Sequence, residues 1–406
     1  MGNRRIYAVA AFFYIFILPL FFHPDIKTIF YQSQFLSQGV TNIYSFLTSN
    51  PERAMLGPFV YPPLAYFLLG FIYLPVKLLA GSGFTEWLAM GNDAVGVNGI
   101  YQYLFAMKLP LLVTFFISGN VLTRLVDGEK TRRRLLVLWF FNPISIYTVG
   151  FMGQIDSLVV MTTILAVFYA KRSPYVASAL LGTGALIKSY PLLLIPFFVV
   201  LVSTRWRDRI KVALPGFLVY FIGIAPYLTT PAFYESSLVS GLSQRMFQLS
   251  LDLGFGEQIP LIPLSLVIIF LIATFKHGGN IGKISAYFLA VLIIIVVGVH
   301  FHPQWALWAL PFLFLFLTRK GKRKRVMWFA LALYILGWLA TFVLIDDKFL
   351  TWGIISTFDR GVLFLPSVSQ IVDNFVDTEY IQTLSHILMA ASGVFLAASA
   401  IFSNDK

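Results

Sequence analysis

Residues 135–170 read LLVLWFFNPISIYTVGFMGQIDSLVVMTTILAVFYA. Two apolar runs, 135–151 and 158–170, flank a short polar break that carries Gln154 and Asp156, and Asn142–Pro143 interrupts the first run. Runs this apolar, without period-two alternation, read as helices, and a bilayer crossing needs roughly 20 such residues. Both runs fall short of that length. Helices that stop short leave polar groups gathered in a cavity at membrane depth.

The whole chain repeats the pattern. Of 406 residues, 58% are hydrophobic and only 12% are charged, more apolar material than a soluble core requires. Long continuous runs favour helices over a barrel, because lipid demands that each segment satisfy its own backbone. There is no cysteine, so disulfides are excluded and the redox compartment stays open. A net charge of +12 would suggest nucleic acid in a soluble chain. Here 21 of the 30 Lys and Arg fall in short clusters at 4–5, 124–134, 171–172, 205–211, 276–283 and 319–325, between apolar runs. These clusters lack interleaved aromatics and match basic cytoplasmic turns, so the charge reports topology and no nucleic-acid partner is expected.

Residues 6–22 follow Arg4 and Arg5 without a small-residue cleavage site and read as a retained signal-anchor. They deliver His23, Pro24 and Asp25 to an external first loop, 22–61. Within it Ile26, Ile29, Phe30, Leu36 and Val40 put one apolar face on a segment too polar to cross, which predicts a membrane-surface helix ended by Gly39 and Asn42. Pro62 and Pro63 open the next run, 61–79, where a missing N–H costs least. Spans and basic turns then alternate to 384–402, with further external polar segments at 229–258 and 346–383. The expected architecture is one all-α polytopic transmembrane domain over 1–406, with roughly 11–13 spans. One conflict stands. If 61–79 returns inward, 101–122 ends outside, yet Arg124 and Arg132–Arg134 follow it. Either the stretch 61–100 hides a re-entrant or extra crossing, or this turn breaks the rule.

Four constellations carry candidate chemistry. Asp25 reads equally as a catalytic carboxylate and as the N-cap of the helix that follows it. Asp156, between two apolar runs, is costly enough to suggest function, with a simple interfacial turn as the plain alternative. Lys188, in IKSYPLLLIP at 187–196, is the one charge in the apolar stretch 174–202 and lies at its outer end. It suits a phosphate as a point charge, or it snorkels to head groups. In VHFHPQWALWALP at 299–311, His300 and His302 do not share a helix face and have no acid nearby in sequence. No metal site is therefore expected. A hydrogen-bonding role for His302 beside Gln304 and Trp305 competes with an interfacial aromatic belt. No phosphate-binding glycine loop, dinucleotide fingerprint or serine-nucleophile motif is present.

Taken together these motifs resemble the GT-C superfamily of polytopic glycosyltransferases, in particular the mannosyltransferases that use polyprenyl-phosphate-mannose. The resemblance rests on Asp25 after the first span, Gly39 with Asn42–Ile43–Tyr44, and Tyr61–Pro62–Pro63–Leu64. It continues with Asn142–Pro143, Gly153–Gln154–Ile155–Asp156, Lys188 and His302–Pro303–Gln304–Trp305. It implies transfer of a hexose, mannose ahead of other sugars, from a polyprenyl-phosphate donor to a lipid-linked or glycan acceptor, with inversion and no cofactor. In that scheme Asp25 is the general base, while Gln154 and Asp156 bind sugar or acceptor. Lys188 and His302 lie near the donor phosphate, Gln304 is a further substrate-binding residue, Arg245 or Arg360 supplies external positive charge, and Tyr61 and Trp305 form walls. Two departures stand out. Many relatives carry an acidic pair in the first loop where Asp25 stands alone, and some continue the histidine motif with Glu-Arg where this chain has Pro303–Gln304. A base alone suffices chemically, since the phosphate leaves already charged. The implied setting is an integral multi-pass membrane location with the site on the external face, in a prokaryotic plasma membrane sooner than the endoplasmic reticulum. Membrane lipids are partners, and an accessory subunit stays open. The rival class is a transporter or flippase, which polar interruptions and buried charge also fit. Against it, no repeat or paired interrupted segments are visible.

Overall fold

The computed structural model describes residues 2–54, 57–239, 244–318 and 324–403. The basic residues 319–323 and part of the 229–258 segment lie outside the described residues. The helices are α1 (Asn3–Ile17), α2 (Pro24–Ser33), α3 (Ile43–Ser49), α4 (Pro63–Ala80), α5 (Phe84–Ala89), α6 (Ile100–Thr123) and α7 (Glu129–Phe141). They continue with α8 (Asp156–Tyr169), α9 (Pro174–Ala185), α10 (Leu194–Val202), α11 (Trp206–Ile224), α12 (Leu261–His277), α13 (Ile284–Gly298), α14 (Ala306–Thr318), α15 (Lys324–Val343) and α16 (Thr378–Phe402). Among the described residues seven helices are long and apolar enough to cross a membrane, or eight if the bent pair 129–152 is one span. This is a multi-pass membrane protein. The other expected crossings are shorter apolar helices, among them Asp156–Tyr169, Tyr190–Val202, Leu261–His277 and Pro303–Thr318.

One element departs from the all-α expectation. Residues 250–260 form an antiparallel hairpin, β1 (Ser250–Gly254) with β2 (Glu257–Pro260). Gly254 and Gly256 adopt positive φ around its tip, as tight hairpin turns require, and the expected span at 259–275 begins only after it.

The sidedness conflict resolves in the geometry of α2 and α4. Tyr66 Oη donates to Val40 O at 2.7 Å, and Tyr73 Oη reaches Gln34 Oε1 at 3.4 Å. Lys27 Nζ donates to Leu88 O at 2.9 Å and also bonds Met90 O. So α4 runs antiparallel to residues 24–40, and the chain returns at residue 88 to the level it left at residue 27. Lys108 of α6 meets Leu18 and Phe21 at the end of the first span. Tyr101 Oη donates to Thr357 O, and Thr357 Oγ1 bonds Leu20 O, so α6 begins at the end of the bundle where α1 stops and runs back toward the end where Arg4 and Arg5 lie. The expected one-faced surface helix is also more enclosed than its pattern suggests. Ile26, Lys27, Ile29, Phe30, Tyr31, Gln32 and Ser33 of α2 are all buried, packed against α4 and α5. Burial pulls Lys27 down to about 8.

The opening stretch breaks where its sequence turns polar. Asn142 Nδ2 donates to Leu138 O (2.7 Å), Trp139 O (3.1 Å) and Ser145 Oγ (2.8 Å), while its Oδ1 accepts from Ser145 N (2.9 Å). One buried side chain thus satisfies carbonyls ending α7 and an N–H starting the next turn. The chain bends by 46° there and continues as a π-helical turn, Ile146–Met152.

Small residues let spans approach backbone to backbone. A Cβ on Gly182 of α9 would lie 2.1 Å from Gly216 O of α11, and one on Gly337 of α15 would lie 2.7 Å from Ser385 O of α16. Gly182→Ala should force these spans apart and lower stability by about 1–3 kcal/mol. Thermal unfolding in detergent reads this directly; an unchanged midpoint would contradict the packing.

Candidate functional site

Asp25 lies in the first turn of α2, but it is not the cap. His23 occupies the N-cap, its Nδ1 accepting from Asp25 N at 3.3 Å and lying 3.7 Å from Asp25 Oδ1. The Asp25 carboxylate is instead oriented from the short loop that leads into α8. Gln154 Nε2 donates to Asp25 Oδ2 at 2.8 Å. Gln154 is buried, and its Oε1 has no hydrogen-bond partner among the described residues. The Asp25 side chain stays 41% exposed, so most of its lone pairs remain open to a reacting hydroxyl.

Asp156 has the opposite surroundings. Its side chain is 0% exposed, and Lys188 Nζ lies 2.9 Å from Oδ1 and 2.8 Å from Oδ2. Trp308 Nε1 also donates to Oδ1. Gly153, at φ +70°, ends the π-turn and lets the chain enter α8 with Asp156 at its first position, where the helix dipole favours a carboxylate. The Lys188 ammonium stands 5.7 Å from the Tyr61 ring centre and 5.5 Å from that of Trp308. Leu64 N, free at the start of α4, donates to Leu186 O at 2.9 Å, which joins the Tyr61–Leu64 motif to the Lys188 loop. Burial holds the Tyr61 phenol protonated well above its usual range, and the carboxylates of Asp25 and Asp156 push the same way.

A column of rings connects the ion pair to the histidine motif. Tyr190 stacks on Trp308 at 4.0 Å, Trp308 on Trp305 at 4.8 Å, and Trp305 meets His302 at 4.3 Å. Arg245 Nη1 lies 3.1 Å from His302 Nε2. Arginine only donates, so His302 Nε2 accepts and the imidazole is neutral. Burial pushes His302 down to about 3; His300, Lys188 and Arg245 press the same way and Asp25 opposes them. Arg245 forms no ion pair among the described residues.

Eight of the nine residues singled out from sequence thus meet: Asp25, Gln154, Asp156, Lys188, Tyr61, Trp305, His302 and Arg245. Gln304 is buried in the turn Pro303–Trp305 and makes no side-chain hydrogen bond among the described residues. Lys188, expected beside a phosphate, is chiefly occupied by Asp156. Arg360, the other arginine considered, packs beside Gly96. No group of three metal-ligating side chains occurs among the described residues. Sequence reasoning passed over Trp308 and Lys108. Trp305 and Trp308 are three apart on one helical face, and Lys108 is a lone charge inside an apolar run, the same signal that singled out Lys188.

Removing one partner of the buried pair leaves an uncompensated charge, so Asp156→Asn should cost about 3–5 kcal/mol of stability. Titration of His302 gives a second measurement. An unfolded chain binds a proton near the ordinary 6.5, and the folded one refuses it until about 3. His302 thus contributes stability above pH 6.5 that drains away as pH falls toward 3. The unfolding midpoint of His302→Asn should fall less steeply between about pH 7 and about pH 4.5 than that of wild type. Parallel curves would refute a buried neutral imidazole. Comparison with protein-family models, with curated proteins and with solved structures finds no match to this chain.

Proposed function

We propose that this protein transfers a hexose from a polyprenyl-phosphate-linked donor to a hydroxyl of a lipid-linked or glycan acceptor, with Asp25 as general base. The observation that carries the reading is the contrast between two carboxylates linked through Gln154, which bonds Asp25 and stands two residues before Asp156. Asp156 is sealed and neutralised by Lys188 and Trp308, whereas Asp25 is oriented by Gln154 yet open on its remaining lone pairs. Such a pair suits a fixed structural anion beside a working base.

In the proposed step the acceptor O–H gives its proton to Asp25 as its oxygen attacks the anomeric carbon. The bond to the phosphate oxygen breaks, and the phosphate departs with the electron pair on the opposite face, inverting the centre. Departure needs positive charge and donors rather than an acid. Arg245 fits this role better than Lys188, because its guanidinium has His302 as its partner and no counter-ion among the described residues. Neutral His302 accepts from Arg245 and so aims the fork without competing for the anion. Lys188 shapes the site through Asp156. Trp305, half-open at the end of the column and backed by buried Trp308 and Tyr190, offers an aromatic face against which a sugar ring can lie. The proposal places the mannosyltransferases among its nearest analogues and the external face as its setting.

The test is transfer of radiolabelled sugar from polyprenyl-phosphate-mannose or -glucose in proteoliposomes containing a membrane lipid extract. Asp25→Asn should lower the rate about 10²–10⁴-fold. Arg245→Gln should raise the Kd for a short polyprenyl phosphate by about tenfold or more. Full activity in Asp25→Asn would remove the base assignment. Movement of the lipid-linked sugar across the bilayer without transfer would move the protein to the flippases.

A further inference from the structure

Lys108 takes no part in the chemistry assigned above, yet it is as fully enclosed by protein as Asp156. It is 0% exposed, in the middle of α6. Its ammonium reaches four backbone carbonyls: Leu18 at 3.1 Å, Phe21 at 2.6 Å, Gly150 at 3.2 Å and Phe151 at 2.6 Å. Leu18 and Phe21 belong to the end of the first span, and Gly150 and Phe151 to the end of the π-turn. Both are helix C-termini, whose last carbonyls lack donors of their own and carry the negative end of the helix dipole. Sealed from solvent by the protein around it, a single ammonium with three N–H groups answers both ends. The fit around its stem is tight. A Cβ on Gly153 would lie 2.5 Å from Lys108 Cγ. The same junction pairs the Phe21 and Phe151 rings at 3.8 Å.

The two segments so joined are those that carry the site. Phe21 leads into His23 and Asp25; Phe151 leads through Gly153 into Gln154 and Asp156. The Asp25–Gln154 hydrogen bond lies just beyond the clamp. We infer that Lys108 is a positioning residue: it caps both helix ends at once and thereby fixes the separation at which Gln154 orients the Asp25 carboxylate. Its kinetic consequence rests on the sugar-transfer reading, while its geometric consequence does not.

The two are separated by one experiment. The chain has no cysteine, so Met152→Cys, at a buried position in the clamped turn, places a single thiol. Labelling by N-ethylmaleimide is compared with Lys108 present and in Lys108→Met, which keeps length and removes the charge. The thiol should label about tenfold faster or more once Lys108 is gone, because the turn opens locally. In the background without the cysteine, Lys108→Met should lower kcat for transfer from polyprenyl-phosphate-mannose at least about tenfold. Its KM should stay within about threefold, since no donor contact is removed. Equal labelling in both backgrounds overturns the inference, as does a fall in KM-linked affinity with kcat intact. Faster labelling in a protein that transfers no sugar keeps Lys108 as the clamp and discards sugar transfer. Should Lys108→Met fail to fold, Gly153→Ala displaces the lysine stem by crowding. Its Met152→Cys thiol should also label faster, and continued protection overturns the inference.

Discussion

A helix that ends where protein seals it from solvent leaves carbonyls and N–H groups with nothing to bond, and several helices of this protein end so. Each break is answered by a side chain bonded on more than one side. Asn142 makes four hydrogen bonds at the 46° bend, and Lys108 reaches four carbonyls from two helix ends. Lys27 does the same for Leu88 and Met90. Without such groups the breaks would carry unmet backbone polarity costing several kcal/mol each, and the chain would favour unbroken helices. The polar site exists because the helices stop, and they can stop because these side chains meet them.

The site itself divides labour by environment rather than by residue type. Asp25 and Asp156 are the same acid with opposite fates, one open beside an amide and the other sealed under an ammonium and an indole. A buried ion pair contributes little net stability once desolvation is counted, so its use lies in fixing geometry. Here it locks the start of α8 to the loop after α9 and to the face of α14, three elements far apart in sequence. The rings from Tyr190 to His302 extend that lock to Arg245.

Much of this was legible in the residues. Apolar runs, basic turns and the polar residues that interrupt them gave the membrane class and nearly every member of the cluster, because burying charge in lipid is costly enough to leave a visible mark. The pairing of α2 with α4 was not legible. A hydrophobic run of span length does not say which neighbour it will lie against, and only the contacts of Tyr66, Tyr73 and Lys27 show that partner. Asp25 was weighed as a helix cap, a role that falls to His23, since capping depends on backbone angles that spacing does not show. The hairpin at 250–260 was hidden in a polar loop for the same reason: its turn depends on Gly254 and Gly256 at positive φ.

The stacked indoles have an optical consequence. Trp308 is buried with its N–H on the Asp156 carboxylate, and Trp305, half-open, lies 4.8 Å from it. Rings that close couple their electronic transitions, so the pair should dominate the near-ultraviolet dichroism of a chain with only 8 tryptophans. Absorption and dichroism then become a built-in gauge of the site, sensitive to whatever lies against Trp305 and to any loosening of the salt bridge beneath Trp308.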